Sequence, residues 1–392
     1  MLRRFTAKSF KSLYDVEIEL GRVNVFVGAN GSGKSNLLEA LGLLGAAAAG
    51  RVDDEALLRR GVRPGAPELY KASFSGQDAG ETIRFGAEND DAVYRVGLRD
   101  GVDGGPWQFE SESVLQAAEP LVEREAADAA TTLDPAAGLA ALEAVRFQPG
   151  SSASRLLSDL REFAIYAPNT PTLRGLVPDP QSRLPVGLHG GNLARAVEDL
   201  RNFAYQHVAF EDVIDDLLEL MEWVEDFGAK SSDAVPMSAS IPTTKKVLFF
   251  RDRFMADGRN ELTAYDASEG VLYALFAAVL AAHSAAPKLL AIDNVDTGLN
   301  PRLLRRLMEN LCVWTLAQGN KQLLLTCHNP LILDGLPLQN DQVRLFAVDR
   351  SDQGRTHVRR VELSPELSAK AGQGWPLSRL WVQGHLGGVP NI

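Results

Sequence analysis

The sequence predicts an α/β protein: a parallel sheet with flanking helices, a mixed β lobe at its start, and a mostly helical insertion. Three observations predict it. A glycine-rich loop, Gly28 to Ser35, lies between an apolar strand and a helical repeat of leucines. The last third alternates apolar helix, apolar strand, capped helix and apolar strand, the order that a helix-covered parallel sheet requires. Between these parts runs a long stretch rich in alanine, glutamate, proline and glycine.

Taken in order, Val16, Ile18 and Leu20 alternate with acidic residues, the period of a half-buried strand. Val23 to Val27 is a short apolar run that ends in glycine, as a buried strand feeding a turn should. Leu37, Leu38, Leu41 and Leu44 recur at helical spacing. Ala66 to Asp100 reads as β-rich, with turns at Ser75-Gly76 and Arg99-Asp100-Gly101. Glu110 to Leu160 reads as helical because alanine and glutamate dominate it. Ala167 to Gly191 reads as an irregular connection, and Leu193 to Phe227 as amphipathic helix. Val271 to Ala282 predicts an apolar helix and Leu289 to Ile292 a buried strand. Pro301 to Leu316 predicts a helix with Asn300 as N-cap, and Leu323 to Thr326 a last buried strand. The expected division is therefore residues 1–105 for the first part of the core, 106–240 for the insertion and 241–392 for the second part.

Composition narrows the classes. With 392 residues, 45% hydrophobic and 23% charged, the chain has the make-up of a globular protein. No run reaches the ~20 apolar residues that span a bilayer, and no apolar segment follows Met1-Leu2-Arg3-Arg4, so neither membrane nor signal peptide is expected. Cys312 and Cys327 are the only cysteines; both sit among apolar residues, read as core, and fit a reducing cytoplasm. The net charge of −11 argues against a surface coated for nucleic acid. Basic residues do cluster at Arg3, Arg4, Lys8 and Lys11, at Lys245, Lys246, Arg251 and Arg253, and at Arg302, Arg305 and Arg306. Each cluster alone reads as a solvated face.

The loop matches G-x-x-x-x-G-K-[ST] in full, and its strand and helix are where phosphate binding needs them. Its glycines, Gly28, Gly31 and Gly33, let backbone N–H groups approach phosphate oxygens at a helix N-terminus. Lys34 would reach the β- and γ-phosphates and Ser35 would hold Mg²⁺. Asp293 closes the apolar run Leu289-Leu290-Ala291-Ile292, which suits it to the magnesium shell.

The chain here resembles the ABC-type AAA ATPases, including SMC-like and RecF-like DNA-repair proteins and OLD-type nuclease ATPases. The likeness rests on Phe10-Lys11-Ser12-Leu13, on Asn24 to Ala40, on Ala267-Ser268-Glu269-Gly270, on Asp293 to Pro301, and on Thr326-Cys327-His328-Asn329-Pro330. It covers about half the chain, at both ends. The resemblance implies an ABC-ATPase head fold, ATP rather than GTP, and cofactor contacts from Gly28, Asn30, Gly31, Gly33, Lys34, Ser35 and Asn36. It also implies a second protomer that completes the site, with Ser268 and Gly270 meeting the γ-phosphate held by the other subunit, and His328 as the switch that senses it.

One position departs from the family. A glutamate usually follows the Walker B aspartate, and this sequence has Asn294. An amide can hold a water but cannot take its proton. Weak hydrolysis is the expectation, with Asp296 in the following turn as the alternative residue for orienting water. Length discriminates further. The stretch from Ser35 to Ser268 is longer than a transporter ATPase needs and far shorter than an SMC coiled coil. The stretch after His328 is too short for the Toprim domain of OLD-type nucleases, so cleavage by this chain is not expected. Two readings remain. One is a homodimeric ATP switch controlling a separately encoded effector, for example a nuclease in anti-phage defence. The alternative is a DNA-repair or chromosome-maintenance clamp that binds duplex DNA.

Overall fold

Alternating burial along the first strands builds the β lobe, whose sheet is antiparallel throughout rather than mixed as expected. The computed structural model describes residues 1–74, 82–101, 105–124, 134–141, 147–204, 211–238, 240–241, 244–363 and 376–384. Strands β1 (Arg4–Phe10) and β2 (Leu13–Glu19) form a hairpin. With β4 (Ile83–Glu88), β5 (Ala92–Arg99), β6 (Gln108–Gln116) and β7 (Glu119–Arg124) they make an antiparallel sheet, ordered β2-β1-β4-β5-β6-β7. Phe5 and Ala7 point to the core while Lys8 faces solvent, the period-two pattern of a half-buried sheet, and a left-handed Ser9 at φ 59° shifts the next buried residue to Phe10.

The second sheet is the predicted parallel one. Its order is β15-β14-β3-β13-β12-β8, with β3 (Val23–Val27), β8 (Ile165–Tyr166), β12 (Leu289–Ile292), β13 (Gln322–Cys327) and β14 (Val343–Arg350) parallel. β15 (Thr356–Val361) closes the edge antiparallel to β14. Both faces are covered. Val23, Val25, Leu290, Ile292, Leu323 and Leu325 face the helices α5 (Leu193–Ala204), α6 (Glu211–Leu220), α7 (Glu269–Ala282) and α8 (Pro301–Ala317). Phe26, Leu289, Ala291, Leu324 and Phe346 face α1 (Lys34–Ala48), α3 (Ser152–Glu162) and the antiparallel sheet. Helix α7 is buried along nearly its whole length, so it has no polar face, as a helix enclosed on all sides should not. Asn300 caps α8, accepting from the Leu303 N–H at 2.9 Å, with Pro301 at the first position.

A third sheet of β9 (Val224–Ser231), β10 (Lys246–Asp252) and β11 (Glu261–Thr263) leads into α7. Short helices α2 (Asp54–Leu58) and α4 (Thr170–Leu173) sit in the connections, and α9 (Leu377–Val382) lies near the C-terminus. Among the described residues no helix is long and apolar enough to cross a membrane.

Two further expectations need correction. The stretch from Glu110 to Leu160 is not continuously helical: β6 and β7 extend the first sheet beyond residue 105, and only α3 is α-helical among its described residues. Glutamate misleads here because Glu112 is an internal anchor. Its carboxylate accepts from the Tyr94 hydroxyl at 3.0 Å and from the Ala140 N–H at 3.1 Å. Likewise Val224 and Phe227 belong to β9, not to a helix ending at Phe227. They are three apart, a helical spacing, yet both are buried. A bulge opposite Arg251 and Asp252 leaves Glu225 without a register partner, and that extra residue brings both side chains to one face. The turn expected at Ser75-Gly76 lies outside the described residues.

Candidate nucleotide site

The loop after β3 can only be built with glycine at two points. A Cβ on Gly28 would lie 2.1 Å from the Val348 carbonyl oxygen, and one on Gly33 would lie 2.1 Å from Thr356 Oγ1. Gly33 also sits at φ 109°, left-handed, where a side chain is strained. Asn30 and Gly31 form the exposed tip. Thr356 braces the loop from β15: its Oγ1 donates to the Ser32 carbonyl at 2.8 Å and meets Ser12 Oγ at 2.7 Å. Asn36 Nδ2 donates to the same Ser12 hydroxyl at 2.8 Å. Asn36 therefore stiffens the start of α1. The hydroxyl of Ser32 is buried with no protein partner.

Lys34 opens α1 and turns back over the loop. Its Nζ donates to the Gly28 carbonyl at 2.8 Å and the Ala29 carbonyl at 2.9 Å, and lies 3.3 Å from His328 Nδ1. Desolvation lowers its pKa, with Asp293 and Asp296 acting in the opposite sense. Ser35 Oγ donates to Asp293 at 3.0 Å from Oδ2. The other oxygen, Oδ1, accepts from Thr326 Oγ1, and the Thr326 hydroxyl accepts the Asn294 N–H at 2.8 Å.

Beyond Asp293 the backbone turns left-handed at Asn294, φ 55°, a conformation asparagine tolerates better than most side chains. Asn294 Oδ1 lies 2.9 Å from His328 Nε2. Desolvation, then the Lys34 charge, lowers the His328 pKa. A neutral ring with its proton on Nε2 satisfies both neighbours, since Nδ1 then accepts from Lys34 and Nε2 donates to Asn294. Asp296 is used differently. Its Oδ2 accepts the His328 N–H at 2.9 Å and the Asn329 N–H at 2.7 Å, so it fixes the switch loop; its Oδ1 is buried without a protein partner.

Lys34, Ser35, Asp293, Asn294, Asp296 and His328 thus converge, all at the C-terminal edge of the parallel strands, where open α/β sheets bind ligands. Ser268 and Gly270 belong elsewhere in the same chain. Ser268 is the exposed N-cap residue of α7, and its hydroxyl makes no capping bond. It lines a cleft with Trp223, Asn300 and Arg302. Gly270 packs against the turn before α8, where a Cβ would meet the Gly298 carbonyl oxygen at 3.1 Å.

Several residues here carry no role in the sequence reading. Thr326 and Ser12 stand inside the quoted motifs, and their neighbours supply the only signal. Thr356 joins the loop across more than three hundred residues of chain, and no local pattern marks it. Next to it Arg355 lies 4.1 Å from the centre of the Tyr14 ring, and Tyr14 meets Phe74 edge-on at 6.0 Å. Buried Glu39, one turn beyond Ser35, pairs with Lys11 and with Arg63.

The donor set fits a magnesium-bound nucleoside triphosphate. A hydroxyl and a carboxylate already within hydrogen-bonding distance suit an oxygen-seeking cation that keeps several waters. A helix N-terminus, a lysine and an orphaned serine hydroxyl suit phosphate oxygens. Most residues of the basic clusters, by contrast, are engaged within the chain. Lys246 pairs with Glu198, Arg251 lies 4.0 Å from Asp226, and Arg253 donates to the Val224 carbonyl. Arg3 pairs with Asp90, Lys8 with Asp15, and Arg306 with Glu219 and Glu309.

Comparison with known proteins agrees with this geometry. The RecF "DNA replication and repair protein" of Magnetococcus marinus is 32% identical over 106 residues, 24% of this chain and 28% of that one. The match therefore spans under a third of that relative's length. A crystal structure of an SmcHead bound to the C-winged helix domain of ScpA aligns over 94% of this chain and 99% of its own, at 12% identity and TM-score 0.53. An Smc head domain with an extended coiled coil, bound to the C-terminal domain of ScpA derived from Pyrococcus furiosus, aligns over 95% and 98%, at 11% identity and TM-score 0.50. These two show the fold, an SMC-head type of ABC ATPase. The family whose description reads "AAA domain, putative AbiEii toxin, Type IV TA system" matches residues 23–334, and the chain belongs to it, as an ATPase of the SMC and RecF type.

Proposed function

We propose that the protein is an ATP-dependent dimeric switch that hydrolyses ATP weakly and controls a separately encoded effector. The observation that carries this reading is the division of the motifs. One chain gathers Lys34, Ser35, Asp293 and His328 around one end of α1, yet leaves Ser268 exposed and uncapped at the start of α7. A second copy of the chain supplies what the first lacks, with its Ser268 hydroxyl and α7 N-terminus facing the γ-phosphate. Ser35 and Asp293 would hold Mg²⁺, which neutralises charge on the phosphates. The ring of Tyr14, with Arg355 and Phe74 beside it, offers a surface for the base.

Within the site, Asn294 orients the attacking water and Asp296 keeps His328 in reach of the phosphate. Asn294 cannot itself take the proton, so positioning carries the rate, and the unpartnered Oδ1 of Asp296 is the alternative group for orienting the water. The effector role draws on the family description, which names a toxin–antitoxin system. It draws also on the SmcHead structure, whose head binds a separate protein. The DNA-clamp alternative draws on the RecF relative, named for replication and repair. The ion pairs within the basic clusters, such as Lys246 with Glu198 and Arg3 with Asp90, do not favour it.

Sedimentation with and without ATP, paired with single-turnover hydrolysis, tests the reading. ATP should drive dimerisation in the wild type and fail to do so in Ser268→Arg. Asn294→Glu should raise the single-turnover rate by about tenfold or more, even though glutamate at a left-handed backbone costs roughly 1 kcal/mol. A chain that stays monomeric with ATP bound sinks the switch. Salt-sensitive binding of duplex DNA by the ATP-bound dimer would move the balance to the clamp.

A further inference from the structure

The segment after His328 is held from three directions, and one of the holds comes from the C-terminal helix. Asp296 fixes its start by accepting the N–H groups of His328 and Asn329. Asn329 then accepts the Leu331 N–H at 3.0 Å and starts a 3₁₀ turn, Pro330–Gly335. Ile332 and Leu333 are fully buried in the core beneath the parallel sheet. Gly335 packs against α8 so closely that a Cβ would lie 2.4 Å from the Arg305 carbonyl oxygen. The third hold is Asp334. Its Oδ1 accepts the Ser378 N–H at 3.0 Å and its Oδ2 accepts the Ser378 hydroxyl at 2.7 Å. Leu380 and Trp381 of α9 are buried in the same core.

The chain of contacts is continuous. It runs from Asn294 and His328 through Asp296, Asn329 and the 3₁₀ turn to Asp334 and Ser378. A 3₁₀ turn is short and its hydrogen bonds are poor, so its position depends on what grips it. A bidentate hold on a carboxylate is among the stronger side-chain grips available. We propose that Ser378 and Asp334 are positioning residues for His328, making α9 the element that sets where the switch rests; this rests on reading His328 as the group that senses the γ-phosphate. Displacing α9 releases the 3₁₀ turn and lets the His328 loop drift. Nucleotide binding, which depends on the loop before α1, is left intact.

The test uses the full chain with Ser378→Ala, Ser378→Thr and Asp334→Ala, in three measurements. ATP affinity by calorimetry should stay within about twofold of wild type. Amide hydrogen exchange should show ATP protecting Cys327–Asn329 in the wild type and in Ser378→Thr, which keeps the hydroxyl. That protection should be lost in Ser378→Ala and Asp334→Ala, where the amides of residues 331–335 exchange about tenfold faster. Single-turnover hydrolysis should fall about three- to tenfold in the same two variants. Equal ATP protection of Cys327–Asn329 in wild type and Ser378→Ala overturns the proposal, whatever the hydrolysis rate. If ATP does not bind the wild-type chain at all, the reading of the site fails and the proposal falls with it. Exchange faster at 331–335 with unchanged protection at 327–329 also overturns it, because the clamp would then exist without reaching the histidine.

Discussion

The two ends of the parallel sheet are built from the same parts and finished in opposite ways. At the C-terminal edge of the strands the chain leaves groups open. Ser32 has an orphaned hydroxyl, Asp296 an orphaned oxygen, and Lys34 rests on loop carbonyls for want of a carboxylate. At the N-terminal edge, α7 and α8 present the carbonyls that end each helix, and these are closed by half-buried Arg22 and buried Lys321. Arg22 donates to the carbonyls of Thr315 and Leu316 at 2.8 and 3.0 Å, and to that of Lys321. Lys321 donates to the carbonyls of Leu280 and His283 at 3.1 and 3.0 Å. Among the described residues neither cation has an ion-pair partner; the helix C-termini, with their partial negative charge, take that part. At one edge the chain's own cations take up the helix-end carbonyls, and at the other Ser32 and Asp296 keep polar atoms for which the chain supplies no partner.

The open edge should respond most strongly to substitution. Lys34→Ala removes the cation that lies over the loop carbonyls, and ATP affinity should fall by at least about a hundredfold in calorimetry. Without nucleotide the same variant should not lose thermal stability, because a desolvated charge with no carboxylate partner is a burden to the fold. A drop in the nucleotide-free melting temperature would show that Lys34 is structural. At the closed edge the expectation reverses. Arg22 keeps part of its side chain in water, unlike buried Lys34, so its charge costs less to hold, and Arg22→Ala, which strands three carbonyls, should cost about 3 kcal/mol in urea unfolding, with ATP affinity unchanged.

This contrast also decides what the sequence could reveal. Residues at the open edge work through local backbone geometry, so their spacing is rigid and the loop at 28–35, Asp293 and His328 are legible as motifs. The parallel sheet was legible for a related reason: buried strands such as Leu289–Ile292 carry no polar residue to confuse the period. The brace at Thr356 and the caps at Arg22 and Lys321 were not legible, because each joins segments distant in sequence and any donor of suitable reach could serve. Strand β6 was hidden because Glu112, a good helix former, is used as a buried acceptor. The backbone contacts of Asp296 to His328 and Asn329 were hidden for the same reason, since they exist only once the two strands are neighbours.

The closed edge should respond more weakly, through pH. Burial pushes the Lys321 ammonium down from its ordinary 10.5 to about 8. The folded pKa is below the unfolded one, so between pH 8 and 10.5 the unfolded chain binds more protons than the folded chain. Stability from this group therefore rises as pH rises through that window, as the cost of burying the charge is relieved, and below pH 8 the full cost is present. Lys321→Met removes the titration. The difference in unfolding free energy between wild type and variant should shift in favour of wild type by about 2 kcal/mol from pH 8 to pH 10.5. Other groups titrate over this range in both chains and cancel in the difference. A difference independent of pH would mean that the helix carbonyls hold Lys321 charged as firmly as water does, and the closed edge would then carry no electrostatic cost.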